Sequence, residues 1–179
     1  GLQNESTAVP TEVKVAFIEA LSRSGLRHIE ATSFVNPKSV PQPADAEQVL
    51  ATLRANPGVS YSALVPNARG LARAATAGVR RIAVFTAASE TFTKKNIGMS
   101  IAESLGAFRE VVGEAKRLGM TARGYVSTAF QCPFEGRIGA EAVQRVTATL
   151  LDLGVDEVAV SDTIGTAVPT DVIAIVGHL

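Results

Sequence analysis

The chain has 179 residues, 46% of them apolar and 19% charged, with 17 basic and 17 acidic side chains. That is length and apolar surface enough for one domain with a core, and it argues against disorder. Zero net charge leaves no basic stripe for nucleic acid or an anionic membrane, no run of about 18 apolar residues offers a span, and the one cysteine, Cys132, excludes an internal disulfide and suits a reducing compartment.

Taken in chain order, the pattern predicts helices over 11–24, 44–55, 68–77, 101–118, 139–153 and 170–179, and strands over 28–34, 61–65, 81–87, 122–128 and 157–162. Val13, Phe17, Ala20 and Leu21 fall on one face of the first helix, and Ile101, Leu105, Phe108, Val112 and Ala115 do the same on the fourth. The strands are short and rich in Val, Ile, Ala and Phe, as strands buried on both faces are. A repeated junction separates helix from strand: "SRSGLRHIEA", "NPGVSYSALV", "TAGVRRIAVF", "RLGMTARGYV" and "DLGVDEVAV" each place a glycine after a helical stretch and an apolar residue after the glycine. The glycine suits the left-handed turn past a helix end, and the apolar residue can pack back on the last turn. Alternating strands and helices imply a parallel sheet of right-handed units. Two architectures fit: a complete doubly wound sheet of five strands, or a (β/α)8 barrel lacking its first strand and last two units. No glycine-rich phosphate fingerprint follows any strand, which counts against the nucleotide-binding sheet.

Such folds place chemistry where strands end. "HIEATSF" supplies Glu30 and Ser33 there. "AVFTAASETFTKKN" leads to Ser89, Glu90, Lys94, Lys95 and Asn96, "ARGYVSTAFQCPFEG" carries Arg123, Ser127, Gln131 and Cys132, and "VAVSDTIG" ends in Asp162 and Thr163. Val158, Val160 and Asp162 share a face by period two, and an acid in line with buried valines needs a partner or a ligand. Each has a plainer reading. Glu30 and Arg123 could form a structural ion pair. Asp162, with Thr163 and Gly165, could be a turn. Lys94 and Lys95 suit a solvated loop as well as substrate phosphates, and Cys132 beside proline suits an inert thiol. His28 and His178 stand too far apart for a histidine metal motif.

The motifs "GLQNE", "IEATSFVNPKSVPQPAD", "AASETFTKKNIGMS", "RGYVSTAFQCPFEG" and "SDTIGTAVP" together resemble the 3-hydroxy-3-methylglutaryl-CoA lyase family, in order and through nearly the whole chain. The resemblance implies a (β/α)8 barrel, of which this chain would be strands two to six with their helices: one incomplete catalytic domain over residues 1–179. It implies metal-dependent retro-Claisen cleavage of an acyl-CoA to acetoacetate and acetyl-CoA, with Mg2+ or Mn2+ as cofactor. The family's metal-binding aspartate and enolate-stabilising arginine would immediately precede Gly1. Its His-x-His pair, its ligand asparagine and its catalytic cysteine would follow Leu179. The expectation is therefore a middle segment cut from both sides, with no metal ligand of its own and little activity alone. Glu30, Arg123 and Asp162 would support the catalytic groups: Glu30 by anchoring the missing arginine, Asp162 by orienting the metal's histidines. Gln3, Ser33 and Thr163 would line the substrate site, and Lys95, Asn96 and Ser100 would meet the coenzyme A tail. The family has lysine where this chain has Ser6, so no contact is assigned there. An acyl-CoA substrate, a homo-oligomer and a cytoplasmic (bacterial) location are expected. The alternatives are an aldol-type acyltransferase of the same barrel group, or a non-catalytic chain.

Overall fold

The computed structural model describes every residue except Gly1 of the first motif and Ser39 of the second. After a 3-10 turn, Leu2–Asn4, the elements are α1 Thr11–Arg23, β1 His28–Ser33, α2 Ala46–Thr52, β2 Ser60–Leu64, α3 Ala68–Thr76, β3 Arg81–Ala87, α4 Glu90–Ile97, α5 Ile101–Arg117, β4 Thr121–Ser127, β5 Gln131–Cys132, β6 Gly136–Arg137, α6 Ala140–Asp152, β7 Glu157–Val160 and α7 Pro169–Val176. The five main strands form one sheet in the order β1-β2-β3-β4-β7, and the registered pairs are parallel. Strand order follows chain order without reversal. A doubly wound sheet reverses at its switch point, whereas consecutive units of a (β/α)8 barrel simply add on one side. The order therefore decides for the barrel-type arrangement.

Two compact units divide these elements. The first comprises residues up to Ala83 with Arg117–Met120; the second comprises Val84–Lys116 with Thr121–Leu179. In the first, Val15, Ile18, Ile29 and Val49 make a buried cluster, with Leu21, Ala31, Leu53, Val59 and Tyr61 packed against it. In the second, Phe108, Val111, Val112, Ala115, Val126, Val143 and Leu150 are buried, and the Thr86 and Ser104 hydroxyls meet at 2.8 Å. Gly124 of β4 lets α6 approach closely: a Cβ there would stand 3.0 Å from Leu150 Cδ1.

Several expectations change. The face α1 buries is Lys14, Val15, Ile18 and Ser22, while Val13 and Phe17 are 52% and 53% exposed. The apolar stripe misled because Lys14 goes inward, where its ammonium donates to the Gln42 carbonyl and to Asp45 Oδ1. The stretch around Lys94 and Lys95 is helix α4, not loop: Ser89 caps it by accepting from Phe92 N at 3.1 Å, and Gly98, at φ 72°, ends it. A small hairpin, β5–β6, follows β4, and β7 stops at Val160, two residues short of Asp162. Of the junction glycines, Gly25, Gly78, Gly119 and Gly154 take positive φ. Gly58 does not; its amide instead donates to Asn56 Oδ1. After these glycines Val79, Met120 and Val155 are buried, but Leu26 stays 47% exposed.

Candidate functional site

In the first unit, the pairing of β1 with β2 decides which side chains share a face. Glu30 pairs with Ser62, Thr32 with Ala63 and Ser33 with Leu64, with a register irregularity between Glu30 and Thr32. In a regular strand, residues three apart point to opposite faces. Here the extra residue, Ala31, brings Glu30 and Ser33 opposite residues two apart, and so to one face. Ile29 of the other face packs into the core with α1 and α2. Ser33 Oγ is buried with no hydrogen-bond partner. Gln3 is exposed on the 3-10 turn. The Gln42 side chain secures the segment that follows: its Nε2 donates to the carbonyls of Glu5 and Thr7, and its Oε1 accepts from Val9 N. Asp45 accepts from Lys14 and Thr11. Burial pushes the Asp45 carboxyl up, but those hydrogen bonds outweigh it and hold the group below its ordinary value.

In the second unit, Arg123 lies on β4 opposite Glu157 of β7. Arg123 Nε stands 3.0 Å from Glu157 Oε1, an ion-pair contact without hydrogen-bond alignment, and the guanidinium lies 5.0 Å from the centre of the Tyr125 ring. Beyond β7, Asp162 Oδ2 accepts from Ala167 N at 2.8 Å and closes a turn that includes Gly165. Its other oxygen, Oδ1, is buried and has no partner. Thr163 Oγ1 accepts from Thr128 N at 2.7 Å. Thr128 has φ 50°, a left-handed backbone that costs a β-branched residue roughly 1–3 kcal/mol, and its own hydroxyl is buried and unpartnered. Ser33, Thr128 and Asp162 thus each carry an unsatisfied buried polar atom, and each stands at or just past the carboxyl end of a strand. Such atoms await a ligand, a water or another chain segment.

Lys95, Asn96 and Ser100 belong to α4 and the start of α5. Lys95 Nζ lies 4.3 Å from the centre of the Phe134 ring, and Phe134 also meets Phe92 at 6.5 Å. Glu135, next in the hairpin, accepts from Thr91 N at 2.6 Å at the amino end of α4. Those bonds from Thr91 hold the Glu135 carboxyl below its ordinary range. Asn96 is exposed. Ser100 forms a reciprocal capping box with Glu103, which accepts from both its amide and its hydroxyl and donates back through Glu103 N. Cys132 is buried, its sulfur 3.0 Å from Ser89 Oγ.

Among the described residues, no three His, Cys, Asp or Glu side chains gather as a metal site. Sequence reasoning missed Thr128 and Glu157. Glu157 was open to discovery, since an acid at the start of an otherwise apolar strand signals a partner. Nothing in "STAF" announces a left-handed threonine.

A sequence family described as HMGL-like matches residues 1–179. The chain belongs to the HMGL-like family. The mitochondrial hydroxymethylglutaryl-CoA lyase of Bos taurus is 49% identical to this HMGL-like chain over 169 residues, 94% of this chain and 52% of that protein. The HMG-CoA lyase of Brucella melitensis superposes with a TM-score of 0.96 at 48% identity, covering 99% of this chain and 63% of that one. That of Acinetobacter baumannii, solved in complex with coenzyme A and 3-methylmalate, superposes at 0.94 with 37% identity, covering 99% of this chain and 58% of that one. The HMGL-like chain thus spans between about half and two thirds of the length of these proteins.

Proposed function

We propose that this chain is part of an enzyme that cleaves 3-hydroxy-3-methylglutaryl-CoA to acetoacetate and acetyl-CoA, residues 1–179 forming one incomplete catalytic barrel. The observation that carries the reading is likeness to lyases through almost the whole chain, at 48–49% identity in sequence and a TM-score of 0.96 in structure. In the reaction, a base takes the tertiary hydroxyl proton and the alcohol carbon becomes a ketone. The carbon–carbon bond breaks, its electron pair passes to an acetyl-CoA enolate, and that carbon is then protonated. A divalent cation, Mg2+ or Mn2+, would orient the hydroxyl and its neighbouring oxygens. The side chains described here do not make such a site, so no step is assigned through it.

What these residues can supply is alignment and charge. Asp162 Oδ1, buried without a protein donor, is free to accept a hydrogen bond from a group brought beside it, while Oδ2 anchors the turn. Arg123 places a fixed cation on the β4 face, held between Glu157 and Tyr125. Glu30 and Ser33, on one face of β1, offer a carboxylate and an unpaired hydroxyl. Gln3 and Thr163 would each contact substrate. Lys95 and Asn96 would meet the coenzyme A tail, and Ser100 would fix the start of α5 beside them. A homo-oligomer and a cytoplasmic location belong to the same reading.

The test is release of acetoacetate and acetyl-CoA from 3-hydroxy-3-methylglutaryl-CoA by the whole enzyme of which this chain is proposed to be part, with Mg2+ or Mn2+ supplied. Asp162→Asn is expected to lower kcat by about 10- to 100-fold. No release with either metal would overturn the proposal, and release of free coenzyme A from acetyl-CoA plus a 2-oxo acid would replace it with the acyltransferase alternative.

A further inference from the structure

We infer that Thr128 is a positioning residue whose left-handed backbone grips both neighbours of Asp162; the inference rests on the proposed site. Among the described residues, Thr128 is the only non-glycine with positive φ, at 50°. It is fully buried. A β-branched residue is a poor choice for that conformation, and glycine or asparagine would adopt it more readily. A strained residue persists only where its surroundings hold it, and such residues concentrate where geometry matters.

The hydrogen bonds around Thr128 show what the conformation achieves. Along β4 the backbone alternates between its two neighbours. Ala122 O and Val126 O accept from Asp156 N and Ser161 N on the β7 side, whereas Ser127 O accepts from Ala88 N on the β3 side. Continued alternation would send Ala129 N toward β3, with Ser127. Instead, Ala129 N donates to Ser161 O at 3.1 Å. The reversal at Thr128 turns the chain, so two consecutive amides face the end of β7. Thr128 N holds Thr163 Oγ1 at 2.7 Å, and Ala129 N holds Ser161 O. Ser161 and Thr163 flank Asp162. The residues on both sides of Asp162 are therefore held by a backbone that cannot rotate freely, and the carboxylate itself is restrained by the bond from Ala167 N to Oδ2. A catalytic support held this way loses little entropy when a ligand group engages Oδ1.

The test compares Thr128→Gly and Thr163→Val with the unsubstituted protein, all made in the whole enzyme of which this chain is proposed to be part, in three readouts: thermal stability, steady-state turnover of 3-hydroxy-3-methylglutaryl-CoA, and amide hydrogen exchange at Ala167. Glycine keeps the amide but frees the backbone; valine removes the acceptor and keeps the shape. Thr128→Gly is expected to keep or raise Tm, lower kcat about tenfold with KM within twofold, and speed exchange at Ala167 about tenfold. A residue that merely stabilised the fold would lower Tm and leave kcat per folded molecule unchanged. The double variant should lose no more turnover than the worse single one, because both changes release the same turn. Additive losses, an unchanged kcat, or unchanged exchange at Ala167 would each overturn the inference. If the unsubstituted protein turns over no substrate, the functional reading fails, and exchange at Ala167 alone decides the positioning role.

Discussion

Two glycine-to-alanine substitutions, one in α3 and one in α5, should move stability in opposite directions. Gly70 lies in α3 and is buried. A Cβ there would stand 2.7 Å from the Phe34 carbonyl oxygen, 3.4 Å from Pro66 Cδ and 3.5 Å from Phe34 Cβ. The first of these is backbone, and it is not free to retreat: Phe34 is 2% exposed, its amide donates to Leu64 O at 2.8 Å, and Arg73 covers its ring at 5.2 Å. Alanine gains about 1 kcal/mol over glycine in a helix interior. Overpacking a filled site costs about 1–3 kcal/mol, and a contact this short against fixed backbone belongs at the upper end. The net expectation for Gly70→Ala is a loss of about 1–2 kcal/mol, or roughly 2–8 °C in Tm for a chain of this size. Gly113 of α5 is exposed, and a Cβ there meets nothing within 4 Å. Gly113→Ala should therefore keep the propensity gain and raise Tm by roughly 2–4 °C. Thermal and urea unfolding of both variants beside the unsubstituted protein provide the assay. A Gly70→Ala protein as stable as its parent, with Gly113→Ala stabilised as expected, would show that α3 and the segment after β1 are not packed as described.

Glu135→Gln should lower Tm at pH 7, where the charged carboxylate accepts from Thr91 N. Because its folded value is depressed, that contribution is present above the ordinary carboxylate range and fades as pH falls through the lowered value, so the two melting curves should converge in acid. Lys14→Met leaves Asp45 with Thr11 as its remaining side-chain donor and should cost about 1–3 kcal/mol in urea unfolding; Lys14→Met combined with Asp45→Leu should recover part of the loss. Ser89→Ala removes the α4 cap and the hydroxyl beside Cys132 and should cost about 1–2 kcal/mol by the same measurement.

The alternation of strands and helices was legible because glycine junctions and apolar runs are local signals. Helix α4 was not, because "ETFTKKNI" has no apolar stripe to bury: Thr93 is its one buried residue, and the helix stands on its caps and on the hairpin that touches it. The outward turn of Val13 and Phe17 was hidden for the opposite reason. Their stripe is apolar, but the inward place beside them is taken by Lys14, whose value depends on Asp45, 31 residues away. The candidate site was legible as residue types at strand ends, since the topology fixes where strands end. The contacts that shape it are long-range pairs, Arg123 with Glu157 and Thr128 with Thr163, and no local pattern encodes them.

The β1 irregularity carries this furthest. Read as a regular strand, "HIEATS" would send Glu30 and Ser33 to opposite faces, and both could not serve one site. Pairing with β2 counts differently: five residues from His28 to Thr32 run against the four from Ser60 to Ala63, so one residue is extra. Ala31 is the residue left over, and it packs against the core cluster beside Ile29. The same residue therefore adds apolar contact on the helix side and restores Ser33 to the face of Glu30. A bulge lets one strand satisfy the core and a polar site at once, which strict alternation over so short a strand could not do.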